Sequence, residues 1–407
     1  MGSLESGFGC KSNRAMMVHF LAGMLVSNIG RNAYFVCIIW CALSWGNNAR
    51  LVPFLLFVST LSQFLVSGLS GFLADIADRR YLAIGMDAVR VIIVALTGYA
   101  IVAEMEVTVL FLSIALYSVA DRGYLTAMQS IIPRLPWSAV TTNSASYLMM
   151  QSGTFLGAGL AGILLHFLSY GAVLSLISCT FILSGTLLAT KPSLSFYKGP
   201  IESGGNGRLK YTFSITHLNK YKLVSPTLVY SFSFGVGILV NTLLAVYVLE
   251  EMNGNAILFG KFESAWAFGG ILVSLVLAFG VGTTFSQSRQ PGLLFYSGSA
   301  LVLLWIFPIP IPVAIVLVLL GAIYNLSRIS LDVQVQQSVS TATIGRVKGA
   351  INSIATGTAL LIYVLIWIVG NAVPPSHILA GYGFCAIIAA TTLTIKSCSV
   401  CQRSDRN

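Results

Sequence analysis

Charge is scarce in this chain. Asp, Glu, Lys and Arg make up 9% of its 407 residues, against roughly a quarter in a soluble protein. Acids are the scarcest, at 13 Asp and Glu in all. Too little polar surface remains to face water over that length, which excludes a soluble globular protein. Histidine is thin as well: His19, His166, His217 and His377 are scattered across helix starts and loops, and no metal constellation follows from them. There is no Walker-type phosphate loop and no nucleophile elbow. The chain is therefore not read as an enzyme, and ATP is not expected as its energy source. Seven cysteines give no disulfide framework, because Cys37, Cys41, Cys179 and Cys385 lie in apolar runs where a thiol behaves as a small hydrophobe. Cys398-Ser-Val-Cys401 has zinc or redox spacing but lacks a second pair. Neither metal nor cofactor is expected, and the sequence shows no nucleic-acid footprint or cleavable signal segment.

What the chain has is apolar length. Hydrophobic residues are 56% of the total and mean hydropathy is +0.84. Runs of about twenty apolar residues, each able to span a bilayer, predict about twelve helices. The first six cover 15–41, 51–74, 81–103, 107–132, 139–165 and 170–190; the second six cover 224–249, 256–280, 292–307, 312–338, 349–370 and 378–396. The ninth is cut short by Phe307-Pro-Ile-Pro-Ile-Pro312. The expected class is all-α, a polytopic membrane protein of two six-helix bundles. Residues 1–190 form the first bundle, 191–223 a basic Gly/Ser-containing linker, 224–396 the second bundle and 397–407 a tail.

Net charge is +10, and its distribution orients the chain. Alternate loops hold Arg79, Arg80, Arg134, Arg289, Arg346, Lys348 and the lysines of 191–222, whereas the opposite loops hold essentially Arg50. By the positive-inside rule both termini are cytoplasmic, in a plasma (inner) membrane. The expected partners are the bilayer and a small-molecule substrate, with the chain a monomer.

The densest charge between two spans is Gly71-Phe-Leu-Ala-Asp75-Ile-Ala-Asp78-Arg79-Arg80. One reading is a plain cytoplasmic turn. The spacing also resembles the signature loop between helices 2 and 3 of the major facilitator superfamily, with Ile76 and Asp78 where that family usually has a basic residue and a glycine. The Asp-Arg-Arg ending, followed by Asp87 and Arg90, looks like the branch of bacterial siderophore and drug exporters. The resemblance implies a gate made by Gly71, Asp75, Asp78, Arg79, Arg80 and Arg90 that latches the two halves in one state. Gly153-Thr-Phe-Leu-Gly157-Ala-Gly159-Leu-Ala-Gly162 is a close-packing surface and is similar to the helix-5 signature of facilitator antiporters, with Ala158 in place of proline and Ala161 in place of a glycine. A faint echo, Gln129-Ser before Asn143-Ser144 and Gln337-Ser before Asn352-Ser353, points to duplication.

Polar residues inside spans are expensive in lipid and mark where function is sought. Asn28 and Arg31 in helix 1, Asp121, Arg122 and Gln129 in helix 4, and Asn325, Arg328, Asp332 and Gln336 in helix 10 fall in helical register. Helices 1, 4, 7 and 10 line the cavity in the resembling family. Arg31, Asn28, Arg122, Gln129, Arg328 and Gln336 are the expected substrate-binding residues. Asp121, Asp332 and Glu263 are the expected proton carriers, the proton gradient being the energy source. Arg31 has no acid near it in sequence and stands where the exporter branch usually has an acid, which tilts the substrate towards an anion, a polycarboxylate-type siderophore. Two alternatives stand beside this: mutual neutralisation of Arg328 and Asp332 at i,i+4, and a multidrug antiporter or an uptake permease, which would share these features. Glu250 and Glu251 are expected to be solvated. Asp75→Asn should impair transport while leaving membrane insertion intact; wild-type flux in that variant would remove the gate assignment.

Overall fold

A computed structural model describes residues 2–46, 51–103, 108–132, 139–190, 223–278, 290–339, 344–369 and 372–404. The linker expected at 191–223 lies outside them except for its last residue. Among the described residues the regular structure is helical, in twelve segments: α1 (Gly2–Gly46), α2 (Leu51–Ile76), α3 (Arg79–Val102), α4 (Thr108–Ile131), α5 (Ala139–Phe167), α6 (Tyr170–Ala189), α7 (Val224–Val246), α8 (Ala256–Ala278), α9 (Gln290–Ile306), α10 (Pro310–Ser338), α11 (Ile344–Val369) and α12 (Pro375–Ser404). Two ends differ from expectation. α1 reaches back to Gly2, well before the expected start at 15, and α12 continues to Ser404 through the expected tail. Among the described residues, nine helices hold a stretch long and apolar enough to cross a membrane, and shorter apolar stretches lie at Leu51–Ser67 and Gln290–Ile306. α4 falls short because Asp121, Arg122 and its other polar residues dilute its hydropathy.

Helix boundaries follow local chemistry. Asp78 is extended and caps α3 by accepting from the Arg80 amide at 3.0 Å. Pro310 opens α10 after an extended Ile309. α7 ends in a π-turn, Tyr247–Glu251, and Glu251 then accepts from the Ser376 amide at 2.8 Å. That contact, which holds the start of α12, replaces the solvated role expected of Glu251.

The packing repeats. In the first half α1 packs on α5 and α6, α3 on α4 and α6, and α2 on α4; raising each index by six gives pairs that also pack in the second half. The sequence echo falls on this relation, since Gln129 ends α4 as Gln337 ends α10, and Asn143 opens α5 as Asn352 does α11. Between the halves α5 packs on α8 and α10, and α2 on α11 and α7. The α5–α8 seam is the closest: a methyl added to Gly260 would sit 2.8 Å from the Ala158 carbonyl oxygen and 3.1 Å from the Gly162 Cα.

Apolar burial is unequal along the bundle axis. We call the end with the α2–α3 turn the turn end, and the other the far end. At the far end one hydrophobic core runs through both halves, joining Cys41, Leu55 and Ala161 to Val246, Phe259 and Leu317. At the turn end separate cores lie within one half, around Met128 and Leu188 in the first and around Val335 and Ile351 in the second. A small cluster of Tyr147, Leu277, Ile329 and Val333 joins the halves there. Among the described residues, apolar contact thus joins the halves across the far end, and at the turn end it joins them along α5, α8 and α10.

Gly153, Gly157 and Gly162, expected as packing glycines, divide their contacts: the first two lie against Asn28 and Ile29 of α1, and the third against Gly260 of α8. A Cβ on Gly157 would overlap the Ile29 carbonyl oxygen. Gly157→Leu should therefore destabilise the detergent-solubilised chain by at least the ~1–3 kcal/mol of an overpacked core. Thermal unfolding would show this as a lowered midpoint; an unchanged midpoint would mean that α1 and α5 are not in this contact.

Candidate functional site

The first half is built around a buried arginine. Arg90 lies three turns into α3 with none of its side chain exposed. Its guanidinium pairs with Asp87 one turn earlier and with Asp121 of α4 at 3.3 Å, and donates to Ser27 Oγ of α1 at 3.0 Å. Tyr124 and Phe181 rings cover it at 4.1 and 4.6 Å. Ser184 of α6 donates to the second Asp87 oxygen at 2.8 Å. Arg31 of α1 closes the chain, its Nε 3.0 Å from the other Asp121 oxygen. Four helices are thereby tied through four alternating charges.

This network changes three expectations. Arg31, with no acid near it in sequence, was expected to bind substrate; in the fold it is paired with Asp121, with 24% of its side chain exposed. Asp121 was expected as a proton carrier; it is fully buried and shared between two guanidiniums. Arg90 was expected with the gate loop; it stands eleven residues beyond Arg79, about 16 Å along the helix. At the turn itself Arg79 donates to the Ser130 carbonyl at 3.3 Å, and Arg80 to the Leu188 and Ala189 carbonyls at 2.6 and 2.5 Å. Where the resemblance implied a latch between halves, these described bonds cap the C-terminal ends of α4 and α6. The side chains of Gly71 and Asp75 lie outside the described residues.

A second cluster faces the division between the halves. Arg122 of α4 is half-buried, and its Nε is sealed without a hydrogen-bond partner. It lies within electrostatic range of Asp121, Arg31, Arg328 and Tyr230. Arg328 of α10 sits 5.0 Å from the Tyr147 ring, and the Tyr147 hydroxyl donates to Asp332 Oδ2 at 2.6 Å. Tyr230 of α7 and Tyr324 of α10 complete the surroundings of Arg328. Tyr324 packs on Trp266 of α8, with ring centroids 5.4 Å apart. Nearer the far end Gln151 of α5 donates to Asn325 Oδ1 of α10 at 2.8 Å. Glu263 of α8 is half-buried.

The remaining expected residues stand apart. Asn28 is buried and donates to the Met24 carbonyl at 2.7 Å, against Gly153. Gln129 is exposed in the last turn of α4, and the Gln336 side chain lies outside the described residues. Asp87, Ser27 and Ser184 as partners of Arg90, and Tyr230 and Tyr324 beside Arg328, were not singled out from sequence. Tyr324 was readable, lying four residues before Arg328 on the same helical face. Tyr230 carried no such signal, because nothing local sets it apart from other aromatics in an apolar run.

The arrangement can hold a small molecule with negative charge between Arg122 and Arg328, against aromatic faces. The profile of the Major Facilitator Superfamily matches residues 20–363. No curated protein sequence matches the chain significantly. Among solved structures, a point mutant of the nucleoside transporter NupG aligns with a TM-score of 0.70 at 12% identity, covering 93% of this chain and 99% of that one. The POT family transporter PepTSo aligns with a TM-score of 0.69 at 10% identity, covering 95% and 98%. At such identities the likeness shows the fold alone.

Removing one partner of a buried ion pair leaves the other uncompensated, at a cost of about 3–5 kcal/mol. Asp121→Asn should accordingly lower the thermal midpoint of the purified chain far more than Arg31→Gln, whose side chain reaches solvent. Equal effects of the two substitutions would mean that Arg90 does not depend on Asp121.

Proposed function

The chain belongs to the Major Facilitator Superfamily, and from that premise we propose that this secondary transporter exports a small organic anion in exchange for protons. Residues 1–190 and 224–396 act as its two moving halves. The observation that carries the anion is Arg122: a guanidinium with a sealed, unpartnered Nε beside two further arginines, of which Arg31 already has its acid. A planar carboxylate suits such a group, since guanidinium binds it through paired charge-assisted hydrogen bonds. Arg122 and Arg328 are the anion's contacts, Tyr230 and Tyr324 its apolar walls.

Export of a polycarboxylate-type siderophore is the specific form of this reading. It is supported by the resemblance of Asp78-Arg79-Arg80 and of Asp87 and Arg90 to the exporter branch. The positive-inside pattern supports cytoplasmic termini in a plasma membrane, which makes the turn end the cytoplasmic one. The aromatic faces of Trp266, Tyr324 and Tyr147 favour one second reading, a multidrug antiporter for lipophilic compounds.

Iron-starved cells with and without the gene separate these readings. Loss of extracellular siderophore with accumulation inside is the expected result. An unchanged supernatant with altered resistance to lipophilic toxins would move the protein to the second reading, and no change in either would favour uptake. Arg122→Gln should lower anion transport at least about tenfold, the equivalent of one charge-assisted hydrogen bond of roughly 1.5 kcal/mol; undiminished transport would remove Arg122 from the site.

A further inference from the structure

Four carboxylates lie along the interior of the described helices, and their surroundings differ. Asp87 meets Arg90, Ser27 and Ser184. Asp121 meets Arg90 and Arg31, and Asp332 accepts from Tyr147. Among the described residues Glu263 has neither hydrogen bond nor ion pair, and it is half-buried.

Its direction follows from helical register. Phe268, Leu272 and Val276 mark the exposed stripe of α8. Glu263 lies about half a turn round from that stripe, on the face of Phe259, Trp266, Ala267 and Gly270. Three of these neighbours touch another interior element. Phe259 stacks on Trp40 of α1 at 6.1 Å, Trp266 packs on Tyr324, and Gly270 abuts Gln151 and Asn325. Glu263 therefore points into the interior between the halves, just inside the far end. The helices packed around it carry Tyr147 and His166 on α5, Tyr324, Arg328 and Asp332 on α10, and Arg31, Cys37 and Cys41 on α1. Lys261 on its own helix is exposed on the opposite face.

We propose that Glu263 is the proton carrier of the transport cycle, in place of Asp121. This rests on the reading of the chain as a proton-coupled transporter. A half-buried carboxylate that faces the membrane interior without a counter-charge is costly to keep ionised. It takes a proton from hydronium when the far end opens to water, crosses the cycle as the neutral acid, and returns the proton to water when the turn end opens. Only O–H bonds form and break. Asp121, clasped by two guanidiniums, instead holds the first half together.

Infrared difference spectroscopy of the full chain in liposomes, with pH as the only variable, tests the assignment without any substrate. A carboxylic-acid C=O band should grow on acidification, shift in D2O, and be lost in Glu263→Gln while Asp121→Asn retains it. Glu263→Asp, which keeps an acid in place, should show the band at a shifted frequency, so that a misfolded glutamine variant cannot mimic the result. A band that survives undiminished in Glu263→Gln, or that is lost only in Asp121→Asn, would overturn the proposal. Failure of the transport reading shows separately, as unchanged siderophore distribution in cells.

Discussion

An arginine enclosed in a membrane protein must find anions at hand, and the burial of Arg90 sets the arrangement of the first half. Its charge cannot be solvated by lipid or by apolar side chains. Asp87 is supplied by its own helix, one turn away, and Asp121 by α4. Asp121 brings Arg31 with it, Ser27 accepts from Arg90, and Ser184 donates to Asp87. Helices α1, α3, α4 and α6 are therefore joined by directional bonds in addition to packing, whereas apolar contact between helices in lipid gains little from the hydrophobic effect. Replacing one member leaves its partners as isolated charges, so the group stands or falls together.

The seam between the halves is made differently. Small residues, Gly159, Gly162 and Gly260, let α5 and α8 approach closely, and the charged groups near the seam are few. A surface of small side chains can slide or rock without separating an ion pair. The far end is closed by apolar contact, Trp40 on Phe259 among others, and at the turn end the described apolar contact between halves runs along α5, α8 and α10. The halves are also tied by polar bonds between α5 and α10, Tyr147 donating to Asp332 and Gln151 to Asn325, so the seam combines close small-residue contact with a few directional bonds.

Much of this was legible in the sequence. Apolar runs located all twelve helices, and even the short α9 ended at Ile306, one residue from its expected end. The polar stripes of helices 1, 4 and 10 did mark the interior. Pairing was the part that could not be read. Arg31 looked unpartnered because Asp121 is ninety residues away, and the two meet only after α1 and α4 have packed. Arg90 was grouped with the loop by its nearness in sequence to Arg79 and Arg80, although the helix carries it deep into the bundle. Glu263 went unranked among three acids for the same reason: a lack of partners is a property of the folded chain.

Double electron–electron resonance between spin labels at the turn end tests the central claim of two rigid units most directly. Labels at exposed Gln129 of α4 and exposed Ser338 of α10 span the halves, and labels at Gln129 and exposed Thr190, just after α6, stay within the first. The account predicts that the spanning distance takes two values whose populations change with pH, while the distance within the half keeps one. Two values within the first half, or a spanning distance fixed at all pH, would contradict it.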